Sequence, residues 1–375
     1  MNGPTNAPED AAVRGDSPLP PQSPPSNPAA PVPTGPTKPA NPRRRLLAWI
    51  GWAGFLLCGV MLLSQWSARR DYYDVTRGLR ERFHSGVVAG DQKVAIITVR
   101  GVIMEGDGFV KRQIERVRED ERIKAVVVRV ESPGGTVTGS DFIHHHLSKL
   151  RAERGIPLVV SMGSIAASGG YYVAMSVGEQ PKSIFAEPTT TTGSIGVIVP
   201  HYDLTGLLAR FDVKEDSIAS HPRKQMLSMT REMSPEDREI IQAYVNESFE
   251  RFKTIVKSGR PELRKTSQLD KLLDREAGRD LATGEIFTAT KAKQYGLVDE
   301  IGFIEDAIAR AVELAGLDAQ RVRVVEYDPP ASLMGLIGLE MTETGGSLAA
   351  ILELSVPRAF YLASSLPPLA SSRRQ

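Results

Sequence analysis

The chain has 375 residues, enough for one large domain or two smaller ones with appendages. Its 46 basic and 45 acidic side chains leave a formal net charge of +1, without the basic surplus of a general nucleic-acid binder. The single cysteine, Cys58, cannot form an intramolecular disulfide, so packing alone would hold an exported domain.

In chain order, the first 42 residues carry 13 of the 26 prolines and no Ile, Phe, Trp or Tyr. Such a segment cannot bury enough apolar surface to offset its chain entropy. Residues 1–45 therefore read as a disordered, partly polyproline-like tether. The stretch RRRLLAWIGWAGFLLCGVMLLSQWSARR follows. From Leu46 to Trp66 it has 21 positions without a charge, and Gln65 is the one strongly polar residue. About 20 apolar residues suffice for a helix to cross the hydrocarbon core. Trp49, Trp52 and Trp66 lie toward the ends, where amphipathic rings prefer to sit. No small-residue cleavage site follows Trp66, so residues 46–66 read as one uncleaved transmembrane signal anchor. Lys38 and Arg43 to Arg45 precede it; Arg69, Arg70 and Arg77 follow, interleaved with Asp71 and Asp74. This balance slightly favours a cytoplasmic tail, with the larger C-terminal region outside the cytoplasm.

Residues 71–328 read as one α/β domain. DYYDVTRGLRERF predicts a short juxtamembrane helix. Strands follow at 93–103, 124–135 and 156–162, with helices at 109–121 and 139–153 between them. That alternation implies a mostly parallel sheet covered by helices. Residues 235–260 predict a long helix. Ser234 can cap it, Pro235 suits its first position, and Glu236 and Asp237 suit its positive end. Two shorter helices follow within 287–316. Residues 329–375 are apolar but broken by Gly and Pro, and neither of their two apolar runs makes a convincing span. One reading of this tail is that it occupies a substrate groove and is trimmed by the protein itself.

GSIAASGGYY, residues 163–172, places a serine after a strand and ahead of a potential helix. A serine there has free backbone N–H groups beside it and the positive end of a helix dipole behind it. Gly169 removes a side chain that would crowd an acyl group. The loop ESPGGTV also ends a strand and offers N–H groups from Gly134 and Gly135. Parallel strands carry both loops to one sheet edge, where sites tend to form. Two donor loops converging on Ser168 would make an acyl-transfer site. Its base is open on these grounds, between a histidine, with His221 the best placed, and a lysine neutralised by burial. His144, His145 and His146 fan out by about 100° per residue on a helix and do not converge on a metal.

Five ordered segments resemble the signal peptide peptidase A family of Ser–Lys serine proteases over roughly residues 90–315. They are ESPGGTVTGSDFIHHHL, SMGSIAASGGYYVAM, TTTTGSIGVI, HPRKQMLSMTREMSPEDRE and ATGEIFTATKAKQYGLVDEIG. The resemblance implies the Clp-protease and crotonase-like fold of repeated ββα units, with no cofactor and no metal. It implies Ser168 as nucleophile, Lys224 as general base, Ser194 orienting that lysine, and the Gly135 and Gly169 amides as oxyanion hole. It further implies a homo-oligomer in which the Lys224 of one subunit meets the Ser168 of another. The implied setting is the inner membrane, single-pass, with the protease domain on the outer, periplasmic face. The implied substrates are remnant signal peptides, with misfolded exported proteins second. A membrane protease specific for one membrane partner, and a catalytically silent crotonase-like scaffold, are the competing readings. SVGEQPKS, within 176–183, is a few residues longer than the family pattern and reads as a lengthened surface loop.

Overall fold

The computed structural model describes residues 42–73, 78–265, 279–329 and 360–362. The tail over 1–41 and most of the tail over 329–375 lie outside the described residues. By internal contacts the chain divides into two units, residues 1–67 and 68–375. α1 (Pro42–Tyr73) is one unbroken helix of 32 residues. Its described side chains run from Trp49 to Gln65, and the expected span 46–66 extends past them at both ends. Among the described residues no helix is long and apolar enough to cross a membrane.

In place of a juxtamembrane helix reaching residue 83, the chain forms β1 (Arg80–Gly86). Then come β2 (Gln92–Arg100), α2 (Phe109–Glu119), β3 (Ile123–Ser132), β4 (Gly134–Thr136), α3 (Val137–Arg154), β5 (Leu158–Ala167) and α4 (Gly169–Ala174). They are followed by β6 (Ile184–Ala186), β7 (Thr191–Gly193), α5 (Thr205–Arg210) and α6 (Pro235–Gly259). The described chain closes with β8 (Ile286–Thr288), α7 (Ala289–Gln294), β9 (Glu300–Ile301), α8 (Ile304–Leu314), β10 (Val322–Asp328) and β11 (Phe360–Leu362).

Nine strands form one sheet in the order β1-β10-β2-β3-β5-β6-β9, with β7 paired to β5 and β8 to β7. The central pairs β10–β2, β2–β3, β3–β5 and β5–β6 are parallel. β1 departs from the helix expectation because its partner is remote in sequence. It pairs antiparallel with β10, and Arg82 reaches Glu326 at 2.8 Å across that pair. No local periodicity shows such a partner.

Alternation on the central strands splits the core into two faces. Ala95, Ile97 and Val99 pack with Val126, Val128 and Val130 against residues of α2, α3, α4 and α6, such as Ile114, Leu147, Tyr172 and Phe252. Val94, Ile96, Ala125 and Val127 face Ala307, Ile308 and Ala311 of α8. Ser234 caps α6 as expected, accepting from the Asp237 N–H at 3.1 Å.

Lys93, at the start of β2, is 2% exposed and donates to both Glu81 oxygens at 2.7 Å and to Asp120 at 3.0 Å. Burial works against the Asp120 charge, but hydrogen bonds from Arg122 and Lys93 overcome it and hold that carboxyl well below the ordinary range. A depressed carboxylate stabilises the fold above its unfolded pKa of about 3.9 and loses that contribution as pH falls. Lys93→Met takes the buried lysine away from Glu81 and leaves Asp120 with Arg122 as its remaining cation, and urea denaturation at pH 7 is expected to show a loss of about 3 kcal/mol. The gap to wild type narrows when the same titration is run below pH ~4.

Candidate active site

β3 and β5 run in parallel register from Val126 opposite Leu158 to Ser132 opposite Ala166, so their C-terminal ends meet at one sheet edge. β5 runs further than the sequence pattern predicts. Ile165–Ala167 pair with Thr191–Gly193 of β7, which draws the small-residue run into the strand. Ser168 is then the corner between β5 and α4.

Ser168 has φ 54° and ψ −115° and is 1% exposed. A non-glycine residue in such a region costs about 1–3 kcal/mol and persists only where its surroundings enforce it. Here the Ser168 N–H donates to the Gly193 carbonyl at 2.8 Å, and the Tyr172 N–H donates to the Ser168 carbonyl at 2.9 Å. Its hydroxyl has no hydrogen-bond partner among the described residues.

The second loop is fixed from both sides. Pro133 interrupts β3, and Ser132 Oγ donates to the Gly101 carbonyl at 2.6 Å while accepting from the Gly134 N–H at 3.1 Å. Ile103 bridges the loop, its N–H donating to Gly134 O at 2.9 Å and its carbonyl accepting from the Thr136 N–H at 2.7 Å. Thr136 caps α3 through the Gly139 N–H. This brings Gly134 and Gly135 onto Gly169. A methyl group built on Gly169 would sit 3.1 Å from Gly134 Cα and from the Gly135 nitrogen, and 2.4 Å from Ser140 Oγ. Glycine is therefore the residue that allows the two loops to touch.

Ser194 follows Gly193 with φ 53° and is mostly buried. Its N–H donates to the Glu285 carbonyl at 2.6 Å, and it lines an open cleft of about 410 Å³ with Val197, Val245, Phe249 and Thr283. The structure thus brings Ser168, Gly135, Gly169 and the Ser194 backbone to one edge.

Lys224 is not brought there within the chain. It lies in a 3-10 turn, Pro222–Gln225, at the end of a stretch exposed throughout from Phe211 to Lys224. It lines a different cleft, of about 810 Å³, with Ile218, Met226, Ile241 and Tyr244. Among the described residues its ammonium has no hydrogen-bond or ion-pair partner. His221, the alternative base, is exposed and accepts from the Arg223 N–H at 3.2 Å, which caps the same turn.

Three aromatic residues stand beside the paired loops. Tyr172, on α4, donates its hydroxyl to Asp141, which also holds Arg251 at 3.1 Å. Phe252 on α6 and Tyr361 on β11 pack with it. β11 itself pairs antiparallel with β4. Sequence reading did not single out these residues. Tyr361 sits in an irregular apolar tail, and nothing in its own neighbourhood signals β4 as a partner.

The family model for peptidase family S49 matches residues 151–318, a stretch that contains Ser168, Gly169, Ser194 and Lys224 and begins after Gly135. A relative from Synechocystis sp. that carries a protease name is 37% identical over 243 residues, covering 65% of this chain and 82% of the relative. The chain belongs to peptidase family S49. It is also 34% identical over 267 residues to Protease 4 of Salmonella typhi, covering 69% of this chain and 40% of that protein. Serine protease SPPA, chloroplastic, of Arabidopsis thaliana is 30% identical over 261 residues, 66% of this chain and 36% of its own length. The chain thus spans well under half of these two longer relatives. A mixed α/β body with a parallel-rich sheet fits the Clp-protease and crotonase-like fold expected for an S49 peptidase.

His144 on α3 meets Tyr172 edge-on at 5.4 Å, and burial pushes its imidazole down to about 4. The folded imidazole therefore stays neutral where the unfolded one, near 6.5, takes a proton. Stability is expected to be level above pH 6.5 and to fall between pH 6.5 and 4. Urea titrations at pH 7 and 4.5 should differ by about 2 kcal/mol more in wild type than in His144→Phe.

Proposed function

We propose that this S49 peptidase is a membrane-anchored serine endopeptidase whose Ser168 and Lys224 act as a dyad shared between subunits. The observation that carries the reading is the corner at Ser168. A strained, unpartnered serine hydroxyl stands next to two glycine amides whose loops touch.

In the proposed reaction Ser168 Oγ attacks a peptide carbonyl while a neutral Lys224 takes its proton. The Gly135 and Gly169 amides hold the oxyanion. Lys224 then protonates the leaving amine, and water releases the acyl group. Ser194 orients the lysine. A lysine serves as a base only where lost hydration favours its neutral amine. Solvent-facing in its own chain, Lys224 meets that condition by docking on a neighbouring copy. The exposed arm that carries it supports this reading, because Phe211, Val213 and Ile218 are 72%, 53% and 102% exposed. No cofactor or metal enters these steps.

The anchor reading rests on α1. Trp49, Leu57 and Leu62 are 76%, 65% and 67% exposed on a helix that is apolar on every side from 46 to 66. Such an anchor holds the site at the outer, periplasmic surface of the inner membrane with the proline-rich tail in the cytoplasm, where remnant signal peptides, and secondarily misfolded exported proteins, are within reach.

The test uses the full chain in detergent micelles with a fluorogenic signal-peptide sequence. Ser168→Ala and Lys224→Ala are each expected to lose at least about a thousandfold in activity. Co-assembling the two variants in equal amounts should restore about a quarter of the sites in a cyclic assembly. Loss without restoration would place the dyad within one chain, and full activity in Lys224→Ala would move the base to a histidine such as His221. A wild type that assembles and cleaves nothing would favour a protease for a single partner or a silent scaffold.

A further inference from the structure

The arm that carries Lys224 is held by polar contacts more than by packing. Its two ends are tied to each other and to α6. The Leu204 N–H donates to the Met229 carbonyl at 2.8 Å, and His201 Nε2 lies 3.2 Å from the Ser228 carbonyl oxygen. Arg231 then reaches the buried Asp237 of α6 at 2.6 Å. From Phe211 to Lys224 every residue is exposed, so no apolar core fixes that stretch.

Glu215 is the side chain that gathers it. Thr230 donates its hydroxyl to Glu215 Oε2, and Gln225 donates its side-chain amide to Glu215 Oε1 at 3.3 Å. Hydrogen bonds from Ser217, and after them the one from Thr230, hold the Glu215 carboxyl below its ordinary range. These donors stand on both sides of Lys224 in the chain. One carboxylate therefore links the outgoing and the returning segments around the turn Pro222–Gln225.

That the donors are uncharged matters for a lysine base. Glu215 and Lys224 line the same cleft. A carboxylate paired with the ammonium would favour the charged form and keep the proton on it. Among the described residues no such pair forms, because Ser217, Gln225 and Thr230 take up the carboxylate instead. Arg223 and Tyr244 also line the cleft, His221 heads the turn, and Lys214 and Asp216 flank Glu215 in the chain. Arg223, a cation, favours the neutral amine.

We infer that Glu215 is a positioning residue of the peptidase: it braces the turn that presents Lys224, and its hydroxyl and amide donors keep its charge off the lysine. The inference rests on the reading of Lys224 as general base.

The test uses the full chain in detergent micelles and reads kcat and KM for the fluorogenic signal-peptide sequence across pH. Glu215→Ala removes the brace and is expected to lower kcat about twentyfold at unchanged KM. Glu215→Gln can still accept from Thr230 and should recover most of that loss. It also removes a negative charge, so the ascending limb of kcat/KM should move down by about half a pH unit. Thr230→Val frees one carboxylate oxygen to approach the ammonium, and the same limb should move up by about half a unit. In the double variant Glu215→Gln/Thr230→Val the upward shift should vanish. A residue that only held the fold would not move the limb in opposite directions. If Glu215→Ala fails to assemble, the Gln and Val variants, which keep the side-chain shapes, still decide. Shifts in one direction, or none, would overturn the inference. Lys224→Ala runs beside them. Full activity there defeats the base reading and the inference with it. Loss there, with unmoved limbs in the other variants, overturns the inference alone.

Discussion

The candidate site depends on one close approach, the contact between the loop ending β3 and the turn ending β5. The two strands are parallel neighbours, so each delivers its loop to the same edge. What the pairing cannot do alone is bring the loops into touch. That requires the absence of side chains at Gly134 and Gly169, where an added methyl group would come within 2.7 Å of the Gly169 nitrogen and 3.1 Å of Gly134 Cα respectively, while one on Gly135 would run into the Ile103 carbonyl at 1.9 Å. The Ile103 bridge, the Ser132 hydroxyl and the Thr136 cap hold the first loop at that distance, and the Gly193 carbonyl holds the second. The hydrophobic core behind them is the support for this arrangement.

The same edge carries two strained serines. Ser168 and Ser194 both have positive φ, and they are linked through the parallel pairing of β5 with β7. Each costs free energy locally that the surrounding sheet must offset. A chain that used these positions only as turns would find glycine or asparagine easier in both places. Serine at both, one with its hydroxyl left unpartnered, is the pattern of a site that accepts strain for chemistry.

Much of this was legible in the sequence because it is local. The strand–helix alternation, the Ser234 cap, the glycine pairs and the placement of Ser168 after a strand all follow from neighbouring residues. The contacts that were not legible join distant segments. Arg80–Gly86 looks helical beside an anchor and becomes a strand only because Val322–Asp328 lies against it. Tyr361 has no regular pattern around it, and its meaning comes from Gly135, Tyr172 and Phe252. Lys224 was reached by family resemblance. Its own surroundings within one chain, a solvent-facing turn, give no physical reason to choose it over other lysines.

β10 has a consequence for the order of assembly. It inserts between β1 and β2, pairing antiparallel with one and parallel with the other, although both lie more than two hundred residues earlier in the chain. During synthesis β1 and β2 emerge early and cannot join the same sheet until residue 328 has followed them. Pairings of such long sequence separation form slowly, because chain closure must precede the contacts that stabilise it. The β3–β5 half, which carries the two glycine loops, involves much shorter separations and can assemble first. The two glycine loops of the candidate site thus lie in the half of the sheet whose pairings are short in sequence, and the strand that joins β1 to the rest of that sheet comes late in the chain.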